Sequence, residues 1–112
     1  MSVRHRSLAA GRWFEMTFLW QMANVGSEVE RAITRRSRGD TDHSAMALER
    51  AFELLGLTIA DRRNCGRLRE LCRVREALAD YFYADNQYGS TDRLWQNYFR
   101  AFAWAAQARR GR

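Results

Sequence analysis

The sequence predicts an all-α fold, an antiparallel up-down four-helix bundle built as one domain, and three observations lead to this. The chain of 112 residues contains no proline, the residue that interrupts helices most strongly. Apolar residues recur at steps of three and four over long segments, which is the spacing of one helix face. Apolar residues make up 46% of the chain, enough for one buried core. We expect the bundle over residues 12–108, between a flexible basic arm (1–11) and a basic tail (109–112).

The first helix is predicted from Arg12 to about Arg36. Gly26 falls in its middle, where glycine costs about 1 kcal/mol relative to alanine, so we expect it to permit a close contact with another helix. Gly39 follows as a C-terminal cap. The residues of the inward face are Met16, Leu19, Trp20, Ala23, Val29 and Ile33.

The second helix is predicted to begin at Asp40, Thr41 or Asp42, all good N-caps, and to end near Ala60. Its inward residues are Ala47, Leu48, Ala51, Phe52, Leu55 and Ile59. A short polar connection over residues 61–66 leads to the third helix. The inward residues there are Leu68, Leu71, Cys72, Leu78, Tyr81 and Phe82.

The fourth helix is predicted after a loop over residues 85–90, beginning at Ser90, Thr91 or Asp92. Short connections between amphipathic helices favour antiparallel neighbours. The aromatic residues of this helix cover more than one face, so they cannot all point inward. Either the core is thick and one or two rings are exposed, or the helix forms a subunit interface. We favour an oligomer, with an interface formed by Trp95, Tyr98, Phe99 and Trp104.

The charge of the chain favours a polyanionic partner. The net charge is +6, and all 19 basic residues are arginine. A GC-rich genome can account for arginine in place of lysine, but not for the positive balance. Guanidinium groups bind phosphate with two hydrogen bonds, so we expect binding to nucleic acid, either RNA or single-stranded DNA.

Two groups of arginines are candidates for this binding, and we expect them to meet at one end of the bundle as a single patch. The group at the end of the first helix is Arg31, Arg35, Arg36 and Arg38. The group around the second connection is Arg62, Arg63, Arg67, Arg69 and Arg73.

Residues suited to catalysis are few. Neither histidine has a metal-ligand spacing, and the Glu-x-x-His motif of di-iron bundles is absent, so we expect no enzyme, metal or cofactor. Glu49 and Glu53 lie one turn apart and are interpreted as solvated helix charges. Arg38 and His43 have the Arg-x4-His spacing of ribonucleases among the higher-eukaryote and prokaryote nucleotide-binding (HEPN) helical domains. A ribonuclease or toxin, with arginine on the phosphate and histidine moving a proton, is therefore one alternative. A protein-interaction adaptor is another.

The two cysteines and the hydropathy pattern bear on location. Cys65 and Cys72 match no zinc-binding spacing and are too few for a disulfide framework. We expect them to be reduced thiols in a cytoplasmic protein. The first residues do not predict a signal peptide, and no apolar run approaches the roughly 18 residues that cross a bilayer. We therefore expect no membrane association.

Several stretches together resemble a family of short bacterial proteins, and the resemblance covers nearly the whole chain. They are Arg12-Trp13, Met16-Thr17-Phe18, the segment from Ala23 to Val29, Arg31-Ala32-Ile33, the segment from Ala51 to Thr58, Arg73-Val74-Arg75-Glu76, and Tyr88-Gly89-Ser90-Thr91-Asp92. The family is similar to accessory proteins of diversity-generating retroelements, including a group named for a Met-Ser-Leu motif. In this sequence Met16-Thr17-Phe18 stands in place of that motif.

The resemblance implies a function for the whole chain. The better-studied relative, the accessory variability determinant, is a basic four-helix bundle that assembles as a pentamer and binds a reverse transcriptase and RNA. By resemblance, this chain is a non-enzymatic scaffold that supports error-prone copying of a template. Bundle proteins encoded within ribosomal RNA insertions share the same architecture.

Overall fold

Four long α-helices make up most of residues 11–110, the part of the chain that the computed structural model describes. They are α1 (Phe18–Ser37), α2 (Thr41–Ala60), α3 (Leu68–Tyr83) and α4 (Asp92–Arg110), and a 3-10 helix (Arg62–Arg67) connects α2 to α3. Strands are absent from this part of the chain. The all-α prediction is confirmed, and the helices pack as a bundle. Residues 1–10 of the predicted arm and 111–112 of the predicted tail lie outside the described residues.

The first helix begins later than predicted because the chain turns before it. Residues 11–13 are helical, and α1 starts only at Phe18. Thr17 is its N-cap, and its side chain accepts a hydrogen bond from the backbone N–H of Trp20. The turn brings Trp13 into the core, where its indole Nε1 donates to Oγ1 of Thr58 at 3.0 Å. The segment before α1 is thereby attached to the end of α2.

The junction of α1 and α2 forms as predicted. Gly39 has a φ of +78°, a conformation that glycine adopts at low cost just after a helix end. Asp40 is the N-cap of α2, and its side chain accepts from the backbone N–H of His43. The reversal therefore needs only three residues between the two helices.

Helix α1 is the central helix, and its closest neighbours are α2 and α4. Near its end, the Ala32 carbonyl accepts a hydrogen bond from Ser44, at the start of α2. Near its beginning, the Phe18 ring packs edge-on against Phe102, late in α4, with centroids 5.8 Å apart. The end of α1 lies instead beside Asp92, the first residue of α4.

The core consists of one large cluster of buried apolar residues, to which all four helices and the preceding turn contribute, and a small second cluster of Ala32, Ala47 and Leu48 between α1 and α2. Leu68, predicted to face inward, is the first residue of α3 and is 44% exposed. The buried members of the cluster are Trp13, Met22, Val25, Val29, Ile33, Ala51, Leu55, Leu71, Val74, Leu78, Trp95 and Phe99.

Gly26 is a point of close approach between α1 and α4, as the sequence predicts for this glycine. A Cβ atom at this position would lie 2.5 Å from Cβ of Phe99. Carbon atoms in contact are normally about 3.5–4.0 Å apart, so no larger residue fits. The missing side chain lets Phe99 pack directly on the backbone of α1.

A network of buried amide side chains joins the start of α1 to the end of α2. The two N–H bonds of the Gln21 amide go to the Trp13 carbonyl (3.0 Å) and to Oδ2 of Asp61 (2.9 Å). Those of Asn64 go to Oε1 of Gln21 (2.9 Å) and to the Thr58 carbonyl (3.0 Å). Both amides therefore use their full donor capacity, as buried amides must if burial is not to destabilise the fold.

Asp61 is the charged member of this network, and Arg63 is its main partner. The Arg63 guanidinium donates to both carboxylate oxygens, at 2.6 Å from Nη2 and 3.1 Å from Nε. These bonds hold the pKa of Asp61 well below its usual range; burial opposes the shift, and the Gln21 hydrogen bond adds to it. The network is thus stable with the carboxylate ionised.

The Gly26→Ala variant is expected to be less stable than the native protein by about 2 kcal/mol, because the clash with Phe99 outweighs the better helix propensity of alanine. The free energy of unfolding, measured by urea denaturation, checks this. Gly56→Ala is the matched control. It places a methyl group within α2, where nothing lies within 4 Å, and should stabilise the protein by about 1 kcal/mol. Equal effects of the two substitutions would contradict the close contact.

The Asp61→Asn variant is expected to lower the stability at neutral pH by about 2 kcal/mol, since it removes a carboxylate with several donors. Because folding lowers the pKa of Asp61, the native protein binds this proton less tightly than the unfolded chain. Its stabilisation is therefore complete above about pH 4 and is lost as the pH falls further. Urea denaturation at several acidic pH values should show a shallower loss in the variant. Asp85→Asn, at an exposed position, should follow the native curve.

Candidate nucleic-acid interface

An open groove of about 570 Å³ runs between α1 and α4. Its floor consists of small or buried residues of both helices. The groove therefore lies over the close contact of Gly26 with Phe99. The floor residues are Ala23, Gly26, Val29, Trp95, Phe99 and Ala103. The groove therefore has a mostly apolar base.

Four arginines line the walls of the groove. Arg31 and Arg35 come from α1, Arg38 directly follows the end of α1, and Arg100 comes from α4. The first three lie on one side because they are spaced at i, i+4 and i+7. The remaining polar lining consists of Ser27, Glu30, Thr34 and Gln96.

The four arginines differ in their partners. Arg31 pairs with Glu28 at 3.1 Å and Arg35 with Asp40 at 3.4 Å. The Arg35–Asp40 pair is partly exposed on both sides and contributes at most about 1 kcal/mol, so an incoming anion can replace that carboxylate, whereas Glu28 is buried beside Arg31. Arg38 and Arg100 are exposed, and neither forms an ion pair within the described residues. The groove therefore offers two guanidinium groups with unused donors.

A smaller pocket of about 120 Å³ lies on the other side of Arg31 and Arg35. It is lined from α2 by His43, Met46, Ala47 and Arg50, and from α1 also by Glu28. Arg31 and Arg35 thus form a ridge with a depression on each side.

The two predicted arginine groups do not meet. Arg63 donates from Nη2 to the Met16 carbonyl at 2.7 Å, and the Arg67 guanidinium lies 4.3 Å from the centroid of the Phe18 ring. Both contacts are at the start of α1, whereas Arg38 follows its end. At 1.5 Å per residue the length of α1 separates the groups by about 30 Å. The prediction of a single patch is therefore wrong, because the third helix begins at the same end of the bundle as the first helix.

The other members of the second group are exposed, and none of them lines the groove. Arg62 lies in the 3-10 helix, and Arg69 and Arg73 lie in the first turns of α3. They form a separate cationic surface at the opposite end of α1.

Arg36 is the member of the first group that faces away from the groove. Its Nη2 lies 2.8 Å from Oδ1 of Asp92 and donates to the Tyr81 hydroxyl at 3.1 Å. The guanidinium also covers the rings of Tyr81 and Phe82, 5.1 and 4.8 Å from their centroids. Tyr81 in turn donates to Asp92. Arg36 therefore joins α1, α3 and α4 and has a structural role.

The four aromatic residues predicted for an interface divide into two classes. Trp95 and Phe99 are 3% and 4% exposed and belong to the core, so they are not available on the surface. Tyr98 is half-buried and donates to Oε1 of Glu70 at 3.1 Å; burial, more than the adjacent Glu70, raises its pKa. Trp104 is 79% exposed. Trp95 and Phe99 are therefore core residues rather than interface residues, because the helical period turns positions 95 and 99 towards α1 and position 104 outward.

Trp95 also carries an unpaired donor. Its indole Nε1 is buried and has no hydrogen-bond partner within the described residues, although nearly all buried donors in proteins are paired. Trp95 lies in the floor of the groove. Unused hydrogen-bonding capacity therefore lies beneath the cationic walls.

Arg38 and His43, the predicted ribonuclease pair, line different depressions. Arg38 lines the groove and His43 the smaller pocket. The Nδ1 atom of His43 lies 2.9 and 2.8 Å from the two carboxylate oxygens of Asp40, and this hydrogen bond is the main cause of a lowered pKa of Asp40. The histidine therefore supports the cap of α2, apart from the groove.

Arg100 is the groove residue that sequence reasoning missed. It stands alone among aromatic residues, without the neighbouring arginines that marked the two predicted groups. The one signal in the sequence is its position on α4. Arg100 lies one turn after Gln96, on the side of α4 that faces α1 when the two helices pack antiparallel.

A search for metal sites, membrane spans and related proteins gives no further indication of function. In residues 11–110, no group of three or more histidine, cysteine, aspartate or glutamate side chains is placed to hold a metal ion. None of the helices in this range combines the length and apolarity needed to span a membrane. Cys65 and Cys72 are free thiols. No protein-family model matches the chain, and neither a curated protein nor a solved structure matches it.

Replacing Arg36 is expected to affect stability. Arg36→Gln should lower the free energy of unfolding by about 1 kcal/mol, through loss of the Asp92 ion pair and of the contacts with two rings. Arg38→Gln is the matched control, with a change within about 0.5 kcal/mol because the side chain is exposed and unpaired. Urea denaturation of both variants checks the structural role of Arg36. Equal stabilities of the two variants would contradict that role.

Proposed function

We propose that the protein is a non-enzymatic scaffold that binds nucleic acid, with the phosphate backbone held in the groove between α1 and α4. One observation carries the proposal. Arg31, Arg35, Arg38 and Arg100 line one open groove, and the last two have no ion-pair partner within the described residues.

Arginine chemistry supports phosphate as the bound group. A guanidinium binds phosphate oxygens with two parallel hydrogen bonds. Neutralising phosphates releases condensed counterions and gives a salt-sensitive affinity. The net charge of +6 adds long-range attraction for a polyanion. Contacts of this kind position a backbone and carry little sequence information, so we expect binding with weak sequence preference.

The resemblance to retroelement accessory proteins supports a biological setting for this binding. The nucleic acid is then template RNA or its cDNA, the protein partner is the reverse transcriptase, and the protein acts in the cytoplasm. This part of the proposal rests on the resemblance alone.

The finer architecture is also part of the proposal. An antiparallel up-down bundle is supported by the reversed order of contacts, since Ser44 lies beside Ala32 while Thr58 lies beside Trp13. A homo-oligomer, pentameric by resemblance, remains a prediction.

The placement of Arg38 and His43 favours binding over cleavage. A ribonuclease needs both groups on one phosphodiester, whereas these two residues line separate depressions and His43 is engaged by Asp40. We therefore expect bound RNA to remain intact.

The test is fluorescence anisotropy of labelled single-stranded DNA and RNA at salt concentrations between about 50 and 200 mM. The native protein should bind more weakly as salt rises. The double variant Arg38→Gln/Arg100→Gln should bind more weakly at every salt concentration. Its slope of log affinity against log salt should be about 1.4 units shallower, since each lost phosphate contact to a single strand contributes about 0.7.

The matched control is Arg69→Gln/Arg73→Gln, which removes the same charge from α3, outside the groove. It should retain nearly the native slope. Equal losses in the two double variants would show that the net charge acts rather than the groove. No binding at low salt would overturn the proposed function and leave the adaptor hypothesis. Shortened RNA on a denaturing gel, absent with His43→Ala, would establish the ribonuclease instead.

A further inference from the structure

The dimensions of the groove limit what can enter it. Its walls belong to two helices in direct contact at Gly26 and Phe99, and helices in contact have axes only about 8–10 Å apart. The volume of about 570 Å³ is typical of a pocket for one small molecule. One or two nucleotides of an extended strand fit this space, whereas a double helix can touch only the rim.

An exposed aromatic ring lies one helical turn beyond Arg100, outside the residues that line the groove. Trp104 follows Arg100 by one helical turn, so the two side chains project from the same side of α4. The preceding residue, Ala103, lines the groove. The Trp104 ring is 79% exposed, more than any other large apolar side chain of the described residues. A flat ring of this kind, next to cations, is the arrangement on which proteins stack the bases of single strands.

The groove floor adds a second feature that suits a nucleotide. Trp95, 3% exposed, has an indole Nε1 without an acceptor among the described residues. That atom has almost no accessible surface, so it reaches a nucleotide oxygen only when the side chains of the floor shift on binding. The apolar remainder of the floor suits a sugar or a base edge better than it suits water.

We propose that the groove is specific for single-stranded nucleic acid, with phosphates between Arg38 and Arg100 and one base stacked on Trp104. This inference rests on the proposed function and adds a substrate class to it. It gives Trp104 the role of a base platform. A second copy of the chain, the occupant expected when Trp104 is an interface residue, is the competing outcome of the test.

The first experiment compares an oligothymidylate of about 12 nucleotides with a blunt duplex of the same length, both labelled, by fluorescence anisotropy. The native protein should bind the single strand at least about tenfold more tightly than the duplex. The Trp104→Ala variant should lose roughly tenfold in affinity for the single strand, the usual size of one stacking contact. Its affinity for the duplex should be unchanged.

Two further variants separate stacking from folding. Trp104→Phe keeps a flat ring and should retain most of the affinity. Binding of the single strand should quench part of the tryptophan emission of the native protein, and the quenching should be smaller in Trp104→Phe, which lacks the exposed indole. Tyr83→Ala removes another exposed aromatic residue, whose ring contacts Phe52 on α2. It should bind like the native protein.

The possible failures are distinguishable. If the single strand binds in a salt-dependent way, but Trp104→Ala binds it as tightly as the native protein or the duplex binds equally well, the inference is wrong and the proposed function stands. If neither probe binds at low salt, both are wrong. If Trp104→Ala changes the molar mass measured by light scattering without nucleic acid, Trp104 is a subunit contact and the inference is overturned.

Discussion

The contact between Gly26 and Phe99 is the steric feature on which the rest of the structure depends. With no side chain at position 26, α4 lies against the backbone of α1, and a Cβ atom there would stand 2.5 Å from Cβ of Phe99. The same approach buries Trp95 and Phe99 and leaves a groove above them. A tightly packed interior tolerates few changes of volume, so core and groove are properties of one helix pair.

Polar interactions hold the two ends of α1. At its start, Gln21, Asp61 and Asn64 form a hydrogen-bonded network that attaches the chain before the helix to the end of α2. At its end, the Arg36 guanidinium binds Asp92 and covers two rings of α3. These groups orient the ends of the helices, while the apolar middle supplies most of the stabilisation. The groove walls therefore belong to helices whose ends are held by side-chain contacts, although the arginines of the walls are exposed.

The sequence predicts the helices well and the candidate site only in part. Apolar periodicity locates four helices, and short-range chemistry places Asp40 among three candidate N-caps of α2 and predicts the close approach at Gly26. It does not distinguish Arg36 from its neighbours, because its role depends on Asp92, 56 positions later. Nor does it separate buried Trp95 from exposed Trp104, since the aromatic residues of α4 cover more than one face. Placing the two arginine groups together was an error of topology, because consecutive helices reverse direction.

The composition of the groove walls has a consequence for regulation. The chain contains no lysine, so acetylation of lysine, a common means of removing positive charge from nucleic-acid-binding proteins, has no target here. Guanidinium groups also keep their protons at any physiological pH. The charge of the walls is therefore permanent. Under the proposed function, control over binding falls to competing anions, ionic strength and the carboxylates of Glu28 and Asp40, which already hold two of the four arginines.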